Sequence, residues 1–147
     1  MKFRLIIDKT KDEEVIVTAH ERSTLTDQLE ALVLEFSGSD RLPGYTEDEM
    51  KLLTYSDIEC ITVLDGKTYA IDTRNRKYRL KLRLYELEAL LPKCFIRINK
   101  STLANEKRLE RFSVGFSGAV DAVFKCGYKE YVSRRCFAEI KRRFEGK

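Results

Sequence analysis

The sequence predicts a mainly β protein of antiparallel strands with small helices, preceded by a short β-β-α extension, and three observations carry that expectation. Asp65-Gly66 sits between two apolar runs, where a two-residue hairpin turn requires positive φ angles. Residues 77–83 alternate, with Tyr78, Leu80 and Leu82 on one face and Lys77, Arg79, Lys81 and Arg83 on the other, the period of a half-buried strand. Leu25, Leu29, Leu32, Val33 and Phe36 instead recur at helical spacing near the N-terminus.

In chain order, residues 3–7 and 14–18 are rich in Ile and Val and read as two strands around the charged turn 9–13. The leucine-striped helix follows, capped by Ser23 or Thr24, with Asp27 suiting its positive end. Ser37-Gly38-Ser39-Asp40 ends that helix, and Pro43-Gly44 soon after reads as a linker. The expected division is an extension over residues 1–42 and a domain over 43–147. Within the domain, 51–54 is a candidate strand, and 58–64 pairs with 67–72 around Asp65-Gly66. A strand at 78–82 leads into a short helix carrying Leu84, Leu87, Leu90 and Leu91, stopped by Pro92. Residues 94–98 form a strand, 109–116 and 119–125 a hairpin around Ser117-Gly118, and 128–132 a further strand after Cys126-Gly127. A final helix, capped by Ser133, buries Cys136, Phe137, Ile140 and Phe144.

Composition narrows the chemistry. No apolar run approaches the roughly 18 residues that span a bilayer, and the N-terminus lacks the apolar stretch of a secretory signal, so a cytoplasmic chain is expected. Cys60, Cys94, Cys126 and Cys136 are scattered, form no C-x-x-C pair and lie far from the single histidine, His20; they read as structural thiols, with no metal site. No phosphate loop or nucleophile elbow is present, and His20 is surrounded by surface residues, so no enzyme, cofactor or small-molecule substrate is expected. Charge is uneven. Residues 1–40 hold 5 Lys+Arg against 9 Asp+Glu, whereas 41–147 hold 23 against 15, which points to a polyanion-binding surface joined to a module with another task.

Two basic segments break local rules. Ser133-Arg134-Arg135 puts two arginines in the first turn of a helix, where the dipole disfavours cations by about 0.3–1 kcal/mol each. Such a choice suits a bound phosphate, or an arginine that reaches a guanine edge. Asn99-Lys100-Ser101-Thr102 follows a strand directly, and small polar residues with a lysine there can grip phosphate or read bases. A solvated turn is the plain alternative for both.

The run Phe95-Ile96-Arg97-Ile98-Asn99-Lys100-Ser101-Thr102-Leu103-Ala104-Asn105 resembles the central signature of the LytTR DNA-binding domain, F-x-R-I-x-K-S-x-x-V-N. Residues 80–88, 112–119 and the segment beginning Val132-Ser133-Arg134-Arg135 resemble, in order, the strand and helix before it, the following hairpin and the domain's end. The resemblance covers about residues 43–145. It implies a LytTR-type antiparallel β domain in a bacterial transcription regulator. Its inter-strand loops would enter successive major grooves of double-stranded DNA, with two copies on paired direct repeats. By that resemblance Asn99, Lys100, Ser101 and Arg135 read bases, while Ser133, Arg134, Lys67 and Thr68 make backbone or secondary contacts. Asn99 stands where the family often has His or Ser, and Glu106-Lys107 where an apolar residue is usual.

Forty residues are too few for the phosphorylated receiver domain many family members carry. The chain is therefore similar to the small stand-alone regulators, some of which work beside a restraining membrane protein. The extension is expected to serve homodimerisation or partner docking. The competing reading is an interaction module of the same fold that has lost DNA binding.

Overall fold

The computed structural model describes residues 2–37 and 40–146. The chain forms two compact units, Met1–Ser39 and Asp40–Lys147. In the first, helix α1 (Thr24–Ser37) forms where the leucine stripe predicts it, and the Ser23 hydroxyl accepts from the Thr26 N–H at 3.3 Å. The helix-ending Gly38 and Ser39 lie outside the described residues. The two N-terminal strands do not form: residues 2–23 contain only a turn, in which Lys11 N–H donates to the Asp8 carbonyl at 3.2 Å. The extension is therefore extended chain, turn and helix rather than β-β-α. A periodicity of two gives a segment the faces of a strand, but a strand also needs a hydrogen-bonded neighbour, and an isolated hairpin is marginal in water.

Among the described residues, the second unit holds ten strands in two antiparallel sheets. The larger sheet has the order β2-β1-β5-β4-β3-β7-β6 and the smaller the order β10-β9-β8. In chain order these are β1 (Arg41–Tyr45), β2 (Met50–Thr54), β3 (Ile58–Leu64), β4 (Lys67–Asp72), β5 (Lys77–Leu80), β6 (Phe95–Asn99), β7 (Thr102–Asn105), β8 (Leu109–Val114), β9 (Val120–Phe124) and β10 (Lys129–Val132). Helix α2 (Leu84–Leu90) precedes β6, and α3 (Arg134–Glu145) closes the chain. The Asp65-Gly66 turn has φ of 52° and 74° and joins β3 to β4 in the two-residue geometry predicted for it.

Pro43-Gly44, read as a linker, lies inside β1. Leu42 and Pro43 pair with Leu53 and Leu52 of β2, and only Tyr45 pairs onward to β5, so the proline leaves little ladder to interrupt. Gly44 is required by close approach: a Cβ there would stand 2.7 Å from Leu53 Cδ1 and 2.8 Å from Tyr78 Cβ.

The core explains the apolar run of β3. Cys60 packs with Ile71, Ile98 and Ala104 against Val120, Ala122 and Phe124 of the smaller sheet and Cys136 and Ile140 of α3. The neighbouring Ile61 is equally buried, and α2 lies against β3 and β7 with Leu84 and Leu87 buried. Both faces of β3 are therefore covered, as continuous apolar character requires. Glu59 is inserted where the β3–β4 register slips between Ile58 and Cys60, and its carboxylate is buried but receives Arg108 Nε at 2.7 Å.

Candidate nucleic-acid interface

Three segments distant in sequence meet where the end of β3, the turn after β6 and the start of α3 come together. β6 ends at Asn99, turns through Lys100-Ser101 and returns as β7, a strand the sequence does not announce beyond the polar segment Asn99–Thr102. The Val63 N–H of β3 donates to the Ser101 carbonyl at 2.9 Å, holding this turn against the β3–β4 hairpin. The Ser133 N–H donates to the Ile98 carbonyl at 2.9 Å, fixing the start of α3 on its other side. The Ser133 hydroxyl then accepts from the Cys136 N–H at 3.2 Å and caps the helix as its sequence position predicts.

The turn is braced internally. Asn99 is only 7% exposed; its Nδ2 donates to the Tyr131 carbonyl at 2.6 Å and its Oδ1 accepts from the Ser101 N–H at 2.7 Å. Arg97 Nη1 donates to the Lys100 carbonyl at 2.7 Å, and its Nη2 reaches Glu88 Oε1 at 2.8 Å. That bond from Arg97 holds the Glu88 carboxyl below the usual carboxylate range. Deeper in, Thr62 and Thr102 share a hydroxyl hydrogen bond of 2.9 Å, and Glu130 Oε2 accepts from the Tyr128 hydroxyl at 2.9 Å. Burial, with Cys60 and Glu130 adding, pushes the Tyr128 hydroxyl well above its ordinary pKa, so it stays a donor.

These contacts frame an open groove of about 930 Å³ lined by Asn99, Lys100, Ser101, Ser133 and Arg135, together with Val63, Glu130 and Tyr131. Five of the eight expected site residues thus come together. Arg134 is exposed on the first turn of α3 but does not line the groove. Lys67 is exposed and pairs with Leu64, whereas Thr68 is buried, 8% exposed, so Lys67 is the side chain this hairpin presents outward.

The electrostatics separate structural cations from available ones. Arg97, Arg108 and Arg143 are matched by Glu88, Glu59 and Glu106. The Glu106–Arg143 pair ties the departure Glu106 to α3, and Lys107 beside it stays exposed. Among the described residues, Lys100, Arg134 and Arg135 enter no ion pair, although all three are exposed. Cations on a rigid frame, next to a helix N-terminus, suit an acceptor-rich ligand such as phosphate or a guanine edge. Sequence reasoning missed Arg97 as the brace of the turn and Glu130 as a carboxylate within the groove. Arg97 was visible only as one residue of an alternating strand, and Glu130 as one acid in a charged surface.

The LytTr DNA-binding domain model matches residues 48–145. The chain is 35% identical over 144 residues to an uncharacterized HTH-type transcriptional regulator of Staphylococcus aureus strain bovine RF122 / ET3-1, with 97% of each chain covered. It is 34% identical over 146 residues to a similarly described protein of strain MSSA476, again with 97% of each covered. Among solved structures, a LytTr DNA-binding domain from Bacillus cereus superposes with a TM-score of 0.65 at 21% identity, covering 72% of this chain and 97% of that one. That likeness concerns the fold. Despite the relatives' HTH label, among the described residues no two of the three α-helices are joined by a turn: β1–β5 separate α1 from α2, and β6–β10 separate α2 from α3.

Proposed function

Because the chain belongs to the LytTR DNA-binding domain family, we propose that it is a transcriptional regulator that binds double-stranded DNA sequence-specifically. It reads the major groove through the Lys100-Ser101 turn and the first turn of α3, and it binds paired direct repeats as a dimer. One observation carries this reading: exposed cations without ionic partners, Lys100 and Arg135, line a single groove with Ser101 and the capped start of α3.

Arg135 reads a base, because a guanidinium can make two hydrogen bonds to guanine O6 and N7. Lys100 reads a base edge from the turn, and Arg134 contacts phosphate, with the α3 N-terminus adding its own N–H groups. Ser101 reads or grips beside Lys100, while Ser133 holds the helix start and Lys67 supplies a further backbone contact. Asn99 acts through the turn, since both ends of its amide are already bonded, and Thr68 through the packing of its hairpin.

The test is selection of bound sequences from a random duplex pool at near-physiological salt, with the full-length protein. Two similar half-sites about one helical turn apart are expected to be enriched. Arg135→Ala should cost about 1–3 kcal/mol on the selected site and relax preference at one base position. A folded protein that enriches nothing overturns the reading and favours an interaction module of the same fold.

A further inference from the structure

The N-terminal unit contains a groove lined by apolar side chains, with Glu21, Arg22, Thr26 and Glu30 completing the lining, and among the described residues no strand lies beside it. Val15, Val17 and Ala19 form one wall at strand spacing, and Leu29, Val33 and Leu34 of α1 form the other, around about 510 Å³. Val15 and Val17 remain 64% and 49% exposed. Ahead of them, Phe3, Leu5 and Ile7 repeat the same alternation and are 90%, 72% and 81% exposed. A strand made of 3–7, laid antiparallel beside 15–19, would complete this layer, with Phe3 opposite Ala19, Leu5 opposite Val17 and Ile7 opposite Val15. Only in a register of this parity do both apolar sets face α1, because a slip of one residue sends one set to the other side.

The chain's own turn works against that register. Asp8 Oδ1 accepts from the Thr10 N–H at 2.9 Å and from the Thr10 hydroxyl at 2.6 Å, and Lys11 N–H closes on the Asp8 carbonyl. A hairpin built on that four-residue turn would set Ile7 opposite Asp12 and Leu5 opposite Glu14. Phe3, Leu5 and Ile7 would then lie on one face, and Val15 and Val17 on the other. A hairpin continued directly from this turn and one that matches the apolar faces need registers of opposite parity, and the segments are unpaired in the structure. A strand supplied by another molecule is free of the turn.

We propose that residues 3–7 of a second copy of this chain fill the groove, each copy donating its strand to the other. The exchange deepens the dimer proposed above by giving it an interface, and it does not depend on DNA binding. Charge favours it: the donated segment carries Lys2 and Arg4 and no acid, whereas residues 12–37 carry seven carboxylates and one arginine. Exposure favours it too. The side chains the exchange would cover, Phe3, Leu5, Ile7, Val15 and Val17, are 90%, 72%, 81%, 64% and 49% exposed in the single chain. Reciprocal exchange of one element is a low-cost route to a closed, two-fold dimer.

The experiment mixes two full-length variants, Leu5→Cys and Val17→Cys, without DNA and under mild oxidation, and maps disulfides by peptide mass. A covalent dimer joining Cys at 5 of one variant to Cys at 17 of the other is expected, above the background of the unmodified protein. Sedimentation should show Leu5→Asp at least tenfold weaker in self-association, with the thermal melting of the Asp40–Lys147 unit unchanged. A disulfide that forms only when both cysteines are in one chain would mean that the segment folds back on its own molecule, and would overturn the proposal. So would a monomeric unmodified protein at high micromolar concentration. Loss of DNA selectivity with the exchange intact would sink the DNA-reading assignment alone.

Discussion

Asn99 spends both ends of its amide inside the protein, on Tyr131 and on Ser101, and so links β10, β6 and the turn that carries Lys100. Removing it leaves the Tyr131 carbonyl without this donor and the Ser101 N–H without its acceptor at a site that is 7% exposed. Losing such bonds costs about 1–3 kcal/mol. Asn99→Ala is therefore expected to lower stability by that amount in urea melts. It should also weaken DNA binding by a similar factor for every sequence, since it disorders the turn rather than deleting a base contact. Arg135→Ala should do the reverse, leaving the melt unchanged and altering which base is preferred. Finding that Asn99→Ala shifts preference at one base pair while stability is unchanged would return Asn99 to the role its sequence position suggests. The same contrast explains what was legible at this scale. Lys100 and Arg135 stand out in the sequence because they break local expectations. Arg97 and Glu130 take their roles from partners such as Glu88 and Thr62, which no local pattern connects to them.

At the scale of elements, the hairpins and helices were readable where short-range chemistry decides them. Asp65-Gly66 supplies two positive φ angles in succession, Ser133 caps α3, and the alternation of Tyr78 and Leu80 puts both in the core. Strand β1 was hidden because proline and glycine ordinarily interrupt strands, whereas here the glycine admits Tyr78 and Leu53 against the backbone. Residues 3–7 and 14–18 failed in the opposite direction, having the pattern of strands without a partner in register. Gly44 gives the sharpest element-scale prediction. Gly44→Ala places a methyl group within 2.8 Å of two packed side chains, and the overlap with Tyr78 Cβ lies too near the backbone for a rotamer change to relieve. Overpacking of this kind costs about 1–3 kcal/mol. The variant should melt earlier, with hydrogen exchange accelerating first in β1 and β2, the edge of the larger sheet farthest from the groove. DNA affinity should be retained at temperatures where the variant is folded. A melt that matches the unmodified protein would mean that β1 can move away from β5 at no cost.

At the scale of the whole chain, the division into two units predicts that recognition and association are separable. Asp40–Lys147 contains both sheets, α2, α3 and every residue assigned to the groove, and the Bacillus cereus domain it resembles is matched over 97% of its own chain. The core cluster that joins its two sheets is built of residues of this unit itself. A protein beginning at Asp40 is thus expected to fold with an unaltered near-ultraviolet spectrum and to bind a single half-site as tightly as the full chain. Paired half-sites are a different matter. If the N-terminal unit joins two copies, the second binding event is intramolecular in the full chain, and linkage of this kind can raise affinity by about 10²–10⁴ without any new contact to DNA. Truncation removes that term alone, so affinity for paired sites should fall toward that for one. Titration of single and paired half-sites with both proteins, at one salt concentration, measures the ratio directly. Equal ratios for the two proteins would place the association surface within the β domain, whereas a lost single-site affinity would mean that residues before Asp40 contact the DNA themselves.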